Sequence, residues 1–355
     1  MHLSFRKSVT DRLLTKIRSG EMMSRNEKFN LIIQLSIPSI LAQVTTVLMF
    51  YIDAGMVGSL GAEPSAAIGL VEPATWLIFS LVSAVTMGFS VQVAHFIGAN
   101  DFPKARAVMR HGYVFGLCFS LLMLLIAFLI GPRLPIWLGG GADIQHDAMV
   151  YFLIFSGITP FHLIEYMSGA MLKVAGDMRR PSMMAILMCV LDVIFNYFLI
   201  FPTRTISLFG IELTMPGFGA GVAGAALGSL LAFVCVALPL AYYAIFRSPI
   251  LEWKQDIERF SWRWQYIWNA LKISAPMGLQ YLLMNGAQLV STMIVAPLGN
   301  VAIAAHSFAI TAESLCYMPG YGISEAATTL VGQSVGADRR DLHRSFAWMT
   351  VFLGM

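Results

Sequence analysis

Two aspartates and an asparagine interrupt otherwise apolar sequence. Asp53 lies in LIIQLSIPSILAQVTTVLMFYIDAGMVGSLG (31–61), towards the outer end of that run. Asp192 sits about ten residues into the apolar run 182–201, near mid-membrane at about 1.5 Å rise per residue, in LMCVLDVIFNYFLIF. Asn196 follows one helical turn later, so both side chains share a face. A carboxylate inside a membrane helix is costly and faces a protein interior or a watery cavity. For Asp53 the alternative is a helix-end carboxylate reaching the outer headgroups. Asn196 and Asp53 both fall in the outer halves of their helices, so one cavity can take both. Carboxylate and amide oxygens suit a proton or a hard cation such as Na⁺; the residues do not choose between the two.

Other candidates are weaker. Glu72, Glu165 and Glu325 also stand in apolar runs, with His162 one turn from Glu165. None has a second carboxylate at helical spacing, so cavity lining or structural pairing is expected of them. His306 has no metal-ligand spacing around it. Cys118, Cys189, Cys235 and Cys316 form no CxxC pair and read as small hydrophobes. No Walker sequence, GxSxG or HExxH is present, so neither nucleotide hydrolysis nor another enzymatic function has support, and no metal or cofactor is expected.

The elements that carry these residues are membrane helices. Hydrophobic residues make up 57% of the chain and charged ones 12%, about half the charge of a soluble domain; mean hydropathy is +0.71. A net charge of +3 gives no support for nucleic acid as a partner. Eight apolar runs lie near 31–58, 65–97, 112–131, 148–174, 182–201, 221–246, 269–297 and 302–335, and a ninth opens near 346. Of 23 basic residues, 21 fall on alternate connections; only Arg133 and Arg204 lie on the other side. Positive charge marks the cytoplasmic face, which puts the N-terminus inside an inner (plasma) membrane.

Residues 1–30, including Arg6 and Lys7, read as a cytoplasmic tail, with a weak amphipathic pattern at Val9, Leu13 and Ile17. No cleavable signal peptide is evident, and Met22 or Met23 could equally serve as the start. The loop 202–219 reads as an ordered outer cap. Residues 247–268, with Arg247, Lys254, Arg259 and four tryptophans, read as a cytoplasmic linker at the headgroups. Pro38, Pro73 and Pro160 each mark a bend. In GAND (98–101) and GADR (336–339), glycine is expected to end a helix and Asn or Asp to make the turn.

Shifted by 238 positions, the sequence matches itself without gaps. Ser36 and Pro38 fall on Ser274 and Pro276, Leu60 and Gly61 on Leu298 and Gly299, and Gly98 and Ala99 on Gly336 and Ala337. Six crossings separate the copies, so both run in the same direction, related by a pseudo-twofold axis along the membrane normal. The division is then an N-lobe of six helices over 31–246 and a partial C-lobe over 269–355 carrying helices seven to nine. By the same spacing the second copy needs about 130 more residues, so the chain is expected to be a fragment of a twelve-helix protein, stopping inside the third helix of copy two.

The motifs YIDAGMVGSLG, VAHFIGAND, GAMLKVAGDMRRPSM, LDVIFNYFLIF, GVAGAALGS and AATTLVGQSVGAD, in this order and with the repeat, resemble the multidrug and toxic compound extrusion (MATE) family. The resemblance implies an all-α antiporter of two six-helix repeats, exporting cationic or lipophilic compounds in exchange for H⁺ or Na⁺ by alternating access, and monomeric when complete. It makes Asp53 the acidic residue of the first helix and Pro38 the proline at which that helix bends. Asp192 and Asn196 occupy the paired polar positions of the fifth helix, in an order swapped from the Asn-then-Asp of the DinF-like branch. Tyr151 and Ser229 fall near further lining positions. At Met284 the NorM-like branch carries an acid, so the DinF-like branch is the nearer one. The alternative of a lipid-linked precursor flippase wants cationic residues within the cavity, whereas Lys and Arg here are confined to loops and helix ends.

Overall fold

The computed structural model describes residues 9–208, 211–255 and 261–355; Arg6, Lys7 and Arg259 lie outside them. In chain order the elements are α1 (Val9–Ser19), α2 (Arg25–Gly58), α3 (Ala62–Gly98), α4 (Phe102–Ile130), α5 (Leu134–Trp137), α6 (Gln145–Ser156), α7 (Thr159–Val174) and α8 (Arg179–Ile200). A hairpin β1 (Pro202–Leu208) and β2 (Ile211–Phe218) follows, then α9 (Gly221–Phe246), α10 (Trp264–Val295), α11 (Asn300–Gly336) and α12 (Arg340–Gly354). Among the described residues seven helices are long and apolar enough to cross a membrane, eight if the bent pair α6–α7 is one span. The fold is that of an all-α polytopic membrane protein.

Local chemistry sets the helix ends. Ser24 and Glu27 form a reciprocal cap on α2: the Ser24 hydroxyl accepts from the Glu27 amide, and Glu27 accepts from the Ser24 amide. The first membrane helix therefore starts at Arg25, before the apolar run opens at Leu31. Asp101 caps α4 by accepting from the Lys104 amide at 3.2 Å.

The run 148–174 is two helices bent by 42° rather than one continuous span. Pro160 cannot donate to the Ser156 carbonyl, and its ring crowds that oxygen; α6 ends at Ser156 accordingly. By contrast Pro38, Pro73 and Pro276 are carried inside continuous helices.

Three segments take a more definite form than the sequence alone assigns. In the described part of 1–30 the amphipathic pattern is a helix: α1 buries Leu13, Leu14 and Ile17. They pack with Leu31 and Leu35 of α2, Ala326 and Leu330 of α11, and Leu342 and Phe346 of α12. An amphipathic helix has somewhere better than water to put its apolar face when a groove of matching helices is beside it. The segment 202–219 is an antiparallel hairpin, pairing Pro202 with Phe218 and Leu208 with Ile211. The 247–268 linker is shorter than expected, because α10 starts at Trp264. Its described part is strapped to α4: Arg106 donates to the Ile250 carbonyl, Arg110 to the Trp253 carbonyl, and the Arg263 amide to His111 Nε2.

The repeat is visible in the backbone. Asn100 and Asp338, 238 apart, are left-handed with φ of 57° and 52°, so they make the turns after Gly98 and Gly336. Gly61 and Gly299, also equivalent, take φ of 124° and 97° before α3 and α11, a region that suits glycine. Contacts between α3 and α11 are reciprocal: Gly98 abuts the Gln333 backbone, and Gly336 abuts that of His95. Two pairs of equivalent residues touch each other, Gly69 with Ser307 and Ala94 with Gly332. Only residues on a twofold axis can meet their own counterparts, so the axis runs along the α3–α11 contact.

Candidate functional site

Asp53, Asp192 and Asn196 come together. Asn196 Nδ2 donates to Asp53 Oδ1 and to Asp192 Oδ2, each at 3.0 Å. The helical spacing of Asp192 and Asn196 on α8 aligns them, and the packing of α8 on α2 brings in Asp53. Asp192 and Asn196 are each 1% exposed, and Asp53 is half-buried beside them. Asn196 Oδ1 is buried with no hydrogen-bond partner. Ser229 of α9 neighbours Asp192. A Cβ at Gly228 would collide with Asn196 Oδ1, so that glycine makes the room Asn196 needs. Two carboxylates on one amide repel one another unless a proton or a cation lies between them. Among the described residues no set of three His, Cys, Asp or Glu is disposed to hold a metal ion.

Asp53 and Asn196 open onto a cavity of about 300 Å³ between the helices before Phe246 and those after Asn300. Tyr151 and Ser229 line it; Pro38 does not, lying further along α2. Glu72, Glu165 and Glu325 also line it. Trp76 Nε1 and Ser307 Oγ donate to the two oxygens of Glu72, the latter at 2.9 Å across to α11. Lys173 Nζ sits 2.6 Å from Glu325 Oε1, joining α7 to α11. Thr329 and Gln333 of α11 donate to the Lys173 and Val174 carbonyls beside it. At the other end Asn300 Nδ2 donates to Asp143 at 2.6 Å. Met284 is 55% exposed and lies outside the cavity lining.

Several contributors escape a reading of the sequence. Lys173 counts there as one more basic loop residue, whereas it holds α11. Ser307 carries no signal, and Gly228 is legible only as part of GVAGAALGS. The rings of Tyr151, Phe155, Phe79, His162 and Tyr166 stack in series, with centroids 5.2, 5.5, 4.4 and 5.7 Å apart and neighbouring planes within 31°. Two pairs in that series are i, i+4, which is the available signal; Phe79 joins them only through the fold.

The sequence profile of the MatE family matches residues 38–198 and 276–355. The chain is 26% identical over 311 residues to a Thermotoga maritima protein named "Probable multidrug resistance protein NorM", covering 87% of this chain and 64% of that protein. A Pseudomonas aeruginosa protein of the same name is 30% identical over 316 residues, with 87% and 61% covered. The chain thus spans about two thirds of the length of the curated relatives it matches. Among solved structures, the outward-facing conformation of a multidrug resistance MATE family transporter of the MOP superfamily superposes with a TM-score of 0.79 at 22% identity, covering 96% of this chain and 70% of that one. A MOP superfamily transporter from Pyrococcus furiosus gives the same score, identity and coverage.

Proposed function

The chain belongs to the MatE family, and from that membership and its buried acidic group we propose a secondary active exporter of cationic or lipophilic compounds, driven by inward movement of H⁺ or Na⁺. The observation that carries this reading is the convergence of Asp53 and Asp192 on Asn196, whose own oxygen is left unpaired. Such a group is complete only with a proton or cation in it. Loading and unloading that ion changes the charge of the cavity wall, and an ion bound better in one conformation shifts the balance between them. Ser229 and Tyr151 complete the lining near the group, and Pro38 supplies a weak point in α2 fifteen residues before Asp53.

In this reading residues 31–246 form one lobe and 269–355 begin the second, rocking about the α3–α11 axis. The reciprocal contacts across that axis support it, because equivalent surfaces can slide past one another symmetrically. The N-terminus faces the cytoplasm of an inner membrane, as the charge alternation favours. A carboxylate group placed before residue 246, with methionine at 284, fits an ion site of the DinF-like kind. The relatives' name points to drugs as cargo, and a cavity with Lys173 as its single lining cation, itself tied to Glu325, disfavours a pyrophosphate-linked lipid.

The test is transport by the reconstituted protein. Ethidium uptake into inside-out proteoliposomes should follow an imposed H⁺ or Na⁺ gradient and vanish in Asp53→Asn with the protein still inserted. Gradient-driven transport at the wild-type rate in that variant would sink the coupling role.

A further inference from the structure

Four carboxylates line the cavity: Asp53, Glu72, Glu165 and Glu325. Three are engaged. Asp53 accepts from Asn196, Glu72 from Trp76 and Ser307, and Glu325 holds Lys173. Glu165 accepts no hydrogen bond and makes no ion pair with any described residue. The charges that act on it are Lys173, already spent on Glu325, and Glu325 itself. A carboxylate left without a partner in a cavity wall between membrane helices is costly, and a structure that keeps one there has left a place for a counter-charge.

The surroundings say what carries that charge. Glu165 and Tyr166 stand at the inner end of the five-ring stack, and Tyr151 stands at its outer end beside the Asp53 group. Tyr151 and Tyr166 are fifteen residues apart along α6 and α7, roughly 20 Å at the helical rise. A hydrated inorganic ion gains nothing from a wall of rings. An organic cation gains both the carboxylate and the apolar contact.

We propose that Glu165 is the anchor for the cationic centre of the transported molecule, at the cytoplasmic end of the cavity and apart from the ion group at Asp53, Asp192 and Asn196. The proposal rests on the exporter reading above and deepens it. Cargo and coupling ion occupy separate carboxylates, so their exchange runs through the conformation of the helices rather than through competition for one site. Lys173 tunes the anchor: held by Glu325 it leaves Glu165 free, and released it has Glu165 two turns back on its own helix.

The experiment is titration of ethidium into the purified full chain in lipid nanodiscs, read by fluorescence anisotropy. Glu165→Gln should weaken ethidium binding at least tenfold, with Glu165→Asp recovering most of the affinity. Lys173→Met, which removes the local positive charge, should bind ethidium as tightly as the wild type or more so. Weakening in the first variant without weakening in the second is what a merely structural role cannot give. Unchanged binding in Glu165→Gln, or equal weakening in both variants, overturns the anchor and leaves the exporter reading standing. A wild-type protein that does not bind ethidium overturns both.

Discussion

The Asp53–Asp192–Asn196 group and the Lys173–Glu325 bridge are both polar clusters among apolar helices, yet they are built differently. Asp53, Asp192, Asn196 and Ser229 all come from α2, α8 and α9, on one side of the α3–α11 axis. Lys173 and Glu325 come from α7 and α11, on opposite sides of the cavity. A group assembled within one set of helices keeps its geometry when the sets move apart. A group assembled between sets is made or broken by that movement. The first kind suits binding an ion in every state, and the second suits holding one state closed. Helix α1 belongs with the second kind: Lys16–Glu27 at 2.7 Å and Thr10–Gln34 at 2.8 Å tie it to α2, while its apolar face lies against α11 and α12.

This contrast can be broken in four places. Asp53→Asn is expected to remove gradient-driven ethidium transport by at least about a hundredfold, since the reacting proton or cation loses a ligand directly. The check is initial rate in proteoliposomes at equal inserted protein. Gly228→Val puts atoms where Asn196 Oδ1 lies; overpacking of this kind costs about 1–3 kcal/mol. It should lower the thermal midpoint and cut transport about tenfold, whereas a silent Gly228→Val would show that the group has slack. Glu325→Gln should leave the Asp53 group intact but loosen the inner closure. A cysteine at Ala185, which lines the cavity, should then react with a membrane-impermeant thiol reagent several times faster from the cytoplasmic side, measured in a background lacking the native cysteines. Exchanging the two charges, Lys173→Glu with Glu325→Lys, should restore the slow rate. Leu14→Ala, at a fully buried position, should cost about 2–5 kcal/mol locally. Hydrogen exchange over 9–19 should rise, with the smallest change in transport of the four.

Much of the fold was legible because a bilayer imposes length and polarity on each crossing. Eight apolar runs became the spanning helices, with ends moved by caps that composition alone does not weigh. The run 148–174 shows the limit: apolar content continues through Pro160, but backbone geometry does not. The hairpin at 202–218 was read as a loop because no membrane sets its period.

At the site, Asp192 and Asn196 could be paired from sequence because four residues of helix fix their relation. The repeat likewise told that Gly98 and Gly336 are equivalent.

Which distant polar groups meet is set by the packing of the helices. Asp53 reaches Asn196 across 143 positions and Lys173 reaches Glu325 across 152. Glu165, from the same kind of apolar run as its neighbours, is left with no partner among the described residues. Sequence determines periodicity and covalent spacing, and both act over a few residues. The partner of a buried charge is set by how helices pack, and helix packing depends on side-chain shape summed over whole faces. For this chain, therefore, composition and spacing specify the membrane helices and their repeat. The packing of those helices sets which of the cavity carboxylates find partners among the described residues.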